Sequence, residues 1–178
     1  LDAQNALPNI HALIAACRRF GCPVIFTRFV ISADDDSRAR LRDKVGIGRE
    51  FDENLYFEGT FGAELHKSIA PRPGEEVIDK PRRSAFFKTP LLDLLNQHEV
   101  DSIIVCGGST SGCIRPTVCD AEQHDFRVVV AEDAIFDRFK AVHALNLFDM
   151  SRAQADVLPT VEILERLEAI QQHRGKGR

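Results

Sequence analysis

The stretch from Val105 to Arg115 holds the residue types best suited to chemistry. It reads Val-Cys-Gly-Gly-Ser-Thr-Ser-Gly-Cys-Ile-Arg and places the thiol of Cys113 directly after a run of small residues. A thiolate is a nucleophile for carbonyl carbon. The β-branched run at 101–105 predicts a buried strand, and the apolar spacing after Cys113 predicts a helix that begins near it. Strand, glycine-rich turn, nucleophile and helix in this order are typical of a nucleophile elbow.

A helix N-terminus favours a thiolate at Cys113, because its partial positive charge and free N–H groups stabilise an anion. The same N–H groups suit the oxyanion that forms when a thiolate attacks a carbonyl. The alternative is a buried, inert cysteine, the commoner fate of this residue in an α/β domain. Spacing alone leaves both interpretations open.

Chain length, composition and net charge limit the classes of protein and of binding partner that the sequence fits. The length of 178 residues predicts one domain, 1–178, and the content of 44% apolar and 28% charged residues is that of a globular chain. A net charge of −4 gives no reason to expect nucleic acid or an anionic membrane as partner. The cysteines lack disulfide or zinc spacing, which predicts a reducing, cytoplasmic location. No apolar run reaches the ~20 residues that cross a bilayer.

Predicted strands and helices alternate along the chain. Strands are predicted at 23–30, 76–80, 101–105, 126–131 and 156–158, and helices at 8–21, 91–97, after 113, at 140–150 and at 159–172. The strands are nearly all apolar, which predicts a mostly parallel sheet with helices on both faces, a three-layer αβα fold of the α/β class. The segment 31–58 is predicted to be a long surface excursion, a lid or subunit contact, and the tail 173–178 to be frayed.

Functional residues of a parallel sheet lie at the carboxyl ends of its strands. Three residues of suitable chemistry fall at or just after predicted strand ends, namely Lys80, Cys113 and Arg138. A lysine at a strand end is usually only solvated, but the glycine-rich elbow nearby favours a role for Lys80.

Five separate motifs, in the right order, resemble cysteine hydrolases of the isochorismatase-like superfamily, within it the N-carbamoylsarcosine and maleamate amidases. They are Lys80–Phe87 (KPRRSAFF), Thr110–Thr117 (TSGCIRPT), Asp120-Ala121, Asp133–Arg138 (DAIFDR) and Asn146–Met150 (NLFDM). The resemblance runs from about 8 to 169. It implies an amidohydrolase that cleaves a small carboxylated amide or N-carbamoyl compound, needs no cofactor and forms a homodimer or homotetramer.

The resemblance also implies residue roles. Cys113 is the nucleophile, and Lys80 pairs with it, which favours the thiolate. A cis peptide bond is expected between Gly108 and Ser109, and the N–H groups of Ser109 and Cys113 are expected to form the oxyanion hole. Arg138 matches the arginine that grips a substrate carboxylate, a task suited to its planar fork.

Further substrate contacts are predicted at Thr110, Phe86 and Phe87, although core packing explains the two phenylalanines equally well. The family's metal-dependent nicotinamidases carry histidines in a segment that corresponds to 27–38, where this chain has none. We therefore predict no catalytic metal, and nicotinamide becomes a less suitable substrate.

The family's first strand ends in an aspartate that acts as general base. Here Asp2 lies in Leu1-Asp2-Ala3-Gln4-Asn5 with no strand before it. Asp2 is a weak candidate whose alternative role is to support a helix N-terminus. We expect the base upstream of the printed residues. We also expect a gap in the hydrogen-bond ladder where the first central strand belongs, unless another segment fills it.

Three other functions stay open. Isochorismatase-type hydrolysis uses no cysteine nucleophile, so Cys113 argues against it. A catalytically silent scaffold for binding or oligomerisation fits a chain without the aspartate. A redox role for Cys106 with Cys113 is less favoured, because Cys106 ends a buried strand.

Overall fold

A computed structural model describes residues 3–32 and 56–176 of the chain. Strands and helices alternate in the predicted order. The helices described are α1 (Ala3–Phe20), α2 (Leu91–Gln97), α3 (Arg115–Gln123), α4 (Lys140–Ala153) and α5 (Thr160–Lys176). The strands described are β1 (Ile25–Phe29), β2 (Glu76–Lys80), β3 (Ser102–Gly108), β4 (Arg127–Phe136) and β5 (Asp156–Leu158). Two short helical turns, Phe61–Ala63 and Thr110–Ile114, lie between these elements.

Every described strand pair is parallel, so the predicted α/β class is confirmed. β1 pairs with β2 to form a sheet of two strands, and β3, β4 and β5 form a sheet of three strands in that order. The described strands therefore form two hydrogen-bond ladders. The expected gap in the hydrogen-bond ladder stays a prediction, because residues 1–2 and 33–55 lie outside the described part of the chain.

Helices cover both faces of the three-stranded sheet because successive strand residues point to opposite sides. On one face Ile103 and Val128 pack with residues of α2, α3 and α4. On the other face Ile104 and Val129 pack with residues of α1 and α5. The described part of the chain thus has the predicted three layers.

Several element ends differ from the prediction, and three of them differ by four or five residues. α1 begins at Ala3, with Pro8 inside it, because Ala6 is buried against the sheet and this packing extends the helix beyond the proline. β4 continues past 131 to Phe136, and the Asp133 carboxylate there accepts hydrogen bonds from the N–H and hydroxyl of Thr160 at 2.8 and 2.6 Å. α5 continues to Lys176, into the tail that was predicted to be frayed.

The two ends of the predicted excursion 31–58 lie side by side. Ile31 and Phe57 form a parallel bridge, and the Ile31 N–H donates to the Tyr56 carbonyl at 2.8 Å. Residues 33–55 lie outside the described part of the chain, so the proposed lid or subunit role stays a prediction.

Candidate active site

Cys113 lies in the tight turn that joins β3 to α3. The turn, Thr110–Ile114, is π-helical and leads directly into α3, so the predicted order of strand, glycine turn, cysteine and helix is the observed one. The Ser109 carbonyl accepts hydrogen bonds from the N–H groups of Gly112, Cys113 and Ile114 at 3.2, 2.9 and 3.1 Å. One carbonyl therefore fixes the backbone around the thiol.

Two glycines make this turn possible. Gly107 has a φ of 106°, a conformation that residues with a Cβ rarely adopt. A Cβ on Gly108 would lie 2.5 Å from the ring of Phe136, so glycine at this position leaves room for that ring where it lies. The peptide bond between Gly108 and Ser109 is cis, at the position that the resemblance implied.

Lys80 ends β2 and carries its ammonium to the sulfur of Cys113. Its Nζ lies 3.3 Å from the Cys113 Sγ, and it donates to the carbonyls of Arg82 and Arg83 at 3.2 and 2.9 Å. The residue is only 3% exposed. An ammonium has three N–H donors, so these acceptors satisfy all of them. The contact thus places a buried positive charge beside the thiol.

The loop after β2 and the turn before α3 are fastened to the same helix. The Ser84 hydroxyl donates to the Asp120 carboxylate, and the Ala85 N–H donates to the Thr117 hydroxyl at 3.0 Å. The Thr117 hydroxyl in turn donates to the Cys113 carbonyl at 2.8 Å. Because α3 holds both segments, Lys80 and Cys113 keep a fixed relative position.

Asp137 is a buried carboxylate that local sequence patterns did not single out. It accepts hydrogen bonds from the N–H and the hydroxyl of Ser111, both at 2.7 Å, and from the Arg138 N–H at 2.7 Å. Burial raises the pKa of Asp137, but these bonds and one from the Phe139 N–H outweigh burial and lower that pKa below its ordinary value. Asp137 therefore joins the end of β4 to the Cys113 turn as an anion.

Arg138 follows Asp137 just beyond the carboxyl end of β4. Its side chain is solvent-exposed, and its guanidinium makes no hydrogen bond to another described residue. Its backbone is held by the bond from its N–H to Asp137. A fixed backbone with an exposed guanidinium is a suitable anchor for a ligand carboxylate.

Thr110 lies in the interior of the protein, beside the Cys113 turn. It is fully buried, and its hydroxyl donates to the Phe136 carbonyl at 3.0 Å and lies 2.8 Å from Nδ1 of His143. These contacts hold the loop in place, and the predicted contact of Thr110 with substrate stays a prediction. No local sequence pattern indicated a role for His143, because a single histidine on a helix is usually just solvated.

The two phenylalanines separate into different environments. Phe86 belongs to the hydrophobic core, where its ring lies 5.4 Å from that of His124 and 6.2 Å from that of Phe126. The core-packing alternative therefore describes Phe86, because apolar side chains enclose it. Phe87 is 47% exposed, and its predicted contact with substrate stays a prediction.

The predicted oxyanion hole, formed by the N–H groups of Ser109 and Cys113, stays a prediction. The Cys113 N–H donates to the Ser109 carbonyl, so an oxyanion would share this N–H or displace that carbonyl.

Asp2, the candidate general base, lies outside the described residues. Within the described ranges no cluster of three or more histidine, cysteine, aspartate or glutamate residues has the arrangement of a metal site. No helix among the described residues is long and apolar enough to span a membrane.

Sequence comparison relates the chain to amidohydrolases. The Isochorismatase domain matches residues 2–162. The chain is 40% identical over 110 residues to maleamate amidohydrolase of Pseudomonas putida, covering 62% of this chain and 52% of that protein. It is 32% identical over 169 residues to N-carbamoylsarcosine amidase of an Arthrobacter species, covering 95% of this chain and 64% of that protein. The chain thus spans less than two thirds of these relatives' lengths.

Solved structures show the same fold. An isochorismatase family protein from Desulfovibrio vulgaris superposes with a TM-score of 0.78 at 33% identity, covering 92% of this chain and 84% of that one. N-carbamoylsarcosine amidase from Thermoplasma acidophilum superposes with a TM-score of 0.73 at 26% identity, covering 89% and 84%.

The carboxylate of Asp137 offers a test of the site's architecture. In Asp137→Asn an NH₂ group replaces one carboxylate oxygen, so a hydrogen-bond donor would face the N–H groups that Asp137 now accepts from. We expect the free energy of unfolding to fall by about 1–3 kcal/mol at neutral pH, measured by urea denaturation. Asp125→Asn is the control, because Asp125 is exposed and its φ of 64° suits asparagine equally well.

The stabilisation that the Asp137 carboxylate provides also depends on pH. Because the folded pKa of Asp137 is lowered, its stabilising effect is complete above the unfolded value of ~3.9 and is lost as the pH falls through the folded pKa. The stability difference between wild type and Asp137→Asn should therefore shrink in acid. A difference that is absent at neutral pH, or that grows in acid, would contradict the assigned role.

Proposed function

Because the chain belongs to the isochorismatase family, we propose that it hydrolyses the C–N bond of a small carboxylated amide or N-carbamoyl compound, with Cys113 as nucleophile. The observation that carries the proposal is the 3.3 Å contact between Lys80 Nζ and Cys113 Sγ. Amidohydrolase relatives named for maleamate and N-carbamoylsarcosine support the reaction class.

The charge of Lys80 supports attack by a thiolate. A buried ammonium in contact with sulfur stabilises the anionic form, since the attraction between opposite charges is stronger where water is excluded. The two carbonyls that also bind this ammonium hold it in place, so the positive charge already lies beside the sulfur before substrate binds. Such preorganisation lowers the cost of generating the nucleophile.

The reaction divides into two steps. The Cys113 thiolate attacks the carbonyl carbon, the C–N bond breaks, and ammonia or an amine leaves with a proton, which gives a thioester. Water then adds to the thioester, one of its protons returns to the base that protonated the leaving nitrogen, and the C–S bond breaks. The carboxylic acid, or a carbamic acid in the case of an N-carbamoyl substrate, departs as the thiolate is restored. The proton for the leaving nitrogen is assigned to the family's aspartate, for which Asp2 is the candidate in the printed sequence.

Arg138 supplies the proposed selectivity for a carboxylate. Maleamate and N-carbamoylsarcosine each carry a carboxylate together with a C(=O)–N group, and an arginine fork binds a carboxylate through two parallel hydrogen bonds. Arg138 lies at the carboxyl end of β4, one residue after the aspartate that is bonded to the nucleophile turn. A substrate held there would present its amide toward Cys113.

We also propose a homodimer or homotetramer in a reducing compartment such as the cytoplasm. Large apolar side chains are exposed along α4 and just before it, at Phe139, Val142, Leu145 and Phe148, which is typical of a surface that binds another protein. All five cysteines are free, which is consistent with a reducing environment.

The direct test of the proposal is ammonia release from maleamate, N-carbamoylsarcosine, N-carbamoyl amino acids and nicotinamide. We expect turnover of a carboxylated member of the panel. Cys113→Ala should lose at least about 10³-fold in kcat, because the nucleophile is removed. Lys80→Met should lose about 10²- to 10⁴-fold, because the sulfur loses its charged partner.

Two matched variants control this experiment. Cys119→Ala removes the half-buried thiol of α3, the helix that follows the Cys113 turn. Lys67→Met removes an exposed lysine. Both should keep wild-type activity. Full activity in folded Cys113→Ala would refute the mechanism, and silence of the wild type across the panel would favour the scaffold function.

The role of Arg138 is tested by Arg138→Lys, which keeps the charge and removes the fork. We expect KM for the carboxylated substrate to rise about 10- to 100-fold, because a charge-assisted hydrogen bond is lost. Arg127→Lys, at the opposite end of the same strand, should leave KM unchanged. An unchanged KM in Arg138→Lys would remove this residue from the binding site.

A further inference from the structure

His143 of α4 makes a contact that defines which of its nitrogens carries hydrogen. The Thr110 hydroxyl has one hydrogen, and it donates that hydrogen to the Phe136 carbonyl, which is an acceptor only. The 2.8 Å contact between Thr110 Oγ1 and His143 Nδ1 must then use a hydrogen on the histidine. His143 is therefore a donor through Nδ1, in the neutral form as well as in the protonated one.

Among the described residues, His143 is the hydrogen-bond donor to the Thr110 hydroxyl oxygen. Thr110 is fully buried, so water does not replace a lost partner. Removing the histidine N–H leaves an acceptor without its donor in the interior of the protein. Burial also lowers the pKa of His143, although Asp137 and Glu132 oppose this, so the neutral donor form prevails at neutral pH.

The residue that His143 holds lies at the centre of the nucleophile turn. Ser109, just before Thr110, fixes the Cys113 N–H with its carbonyl, and Ser111, just after it, is bonded to Asp137. Thr110 thus lies between the group that orients Cys113 and the group that joins the turn to the Arg138 segment. A shift of Thr110 moves both.

We propose that His143 is a positioning residue for the reaction, which holds the Cys113 turn through a hydrogen bond from its Nδ1 to the Thr110 hydroxyl. It touches neither substrate nor sulfur. This inference rests on the proposed function only for its effect on turnover. Its effect on the reactivity of Cys113 is independent of any substrate.

The test compares three replacements of His143. His143→Asn places an amide N–H where Nδ1 was, His143→Gln places one where Nε2 was, and His143→Ala places none. We expect His143→Ala and His143→Gln to lose about 10- to 100-fold in kcat, the cost of a small displacement of a reacting group, with KM changed less than kcat. His143→Asn should recover most of that loss. His98→Ala, an exposed histidine beyond α2, should retain wild-type kcat.

A second measurement separates this proposal from the proposed function. The rate at which iodoacetamide alkylates Cys113 should fall by up to about tenfold in His143→Ala, equivalent to one hydrogen bond, and be restored in His143→Asn. If every variant is silent toward amides but this pattern holds, the positioning role stands and the amidohydrolase function does not. Equal alkylation rates in the alanine and asparagine variants would overturn the positioning role.

Thr110→Val tests the same hydrogen bond from its other side, and it does so even if His143→Ala folds poorly; a double-mutant cycle then measures the coupling. Thr110→Val keeps the shape of Thr110 and removes its hydroxyl, so it breaks the same bond from the other side. We expect Thr110→Val and His143→Ala to be strongly non-additive in alkylation rate, with the double variant no slower than the slower single variant. Additive effects would show that the two residues act separately and would contradict the proposal.

Discussion

The structure depends on a buried ammonium that lies against a sulfur atom. Removing a lysine charge from water is costly unless every N–H finds an acceptor. The Lys80 ammonium has two backbone carbonyls and the Cys113 Sγ, and it is almost completely buried. An anionic sulfur is the acceptor that best offsets this cost. The same interaction that allows the lysine to be buried therefore favours the thiolate that the proposed mechanism uses.

The elements around this pair hold the loop after β2 and the turn after β3 in a fixed relative position. α3 fastens the loop after β2 through Asp120 and Thr117. The end of β4 fastens the Cys113 turn through Asp137, and α4 does so through His143. Side chains from three elements thus act on a turn whose glycines allow close approach. The hydrogen bonds are side-chain contacts between distant parts of the chain, so they assemble only when the fold is complete.

Local sequence patterns predicted the elements and the identity of the central pair. Strand periodicity predicted Lys80 at the end of a strand, and the small residues before Cys113 predicted a tight turn. The family resemblance predicted that these two residues pair. The limits of α1 and β4 were wrong because buried contacts, such as that of Ala6, outweighed the proline and acidic residues that locally suggested an end. Propensity acts over a few residues, whereas burial depends on the whole fold.

The support around the pair was harder to predict for the same reason. Thr110 and Phe86 have residue types that suit a binding site, but both are buried, and burial is not visible in a local motif. His143 lies 33 residues from the threonine it contacts, and Asp137 lies 26 residues from Ser111. No periodicity links such positions. Only the structure brings the two chain segments together.

The most direct measurement of the central claim is the rate of Cys113 alkylation by iodoacetamide in wild type and in Lys80→Met, followed by peptide mapping across mildly acidic to alkaline pH. The same peptide maps report two other cysteines that serve as an internal reference. Burial raises the pKa of the Cys17 and Cys106 thiols to about 11, which keeps these thiols unreactive. Wild-type Cys113 should react rapidly at neutral pH, and the variant should need alkaline pH to do so. Identical pH profiles in the two proteins would contradict the ammonium–thiolate pair.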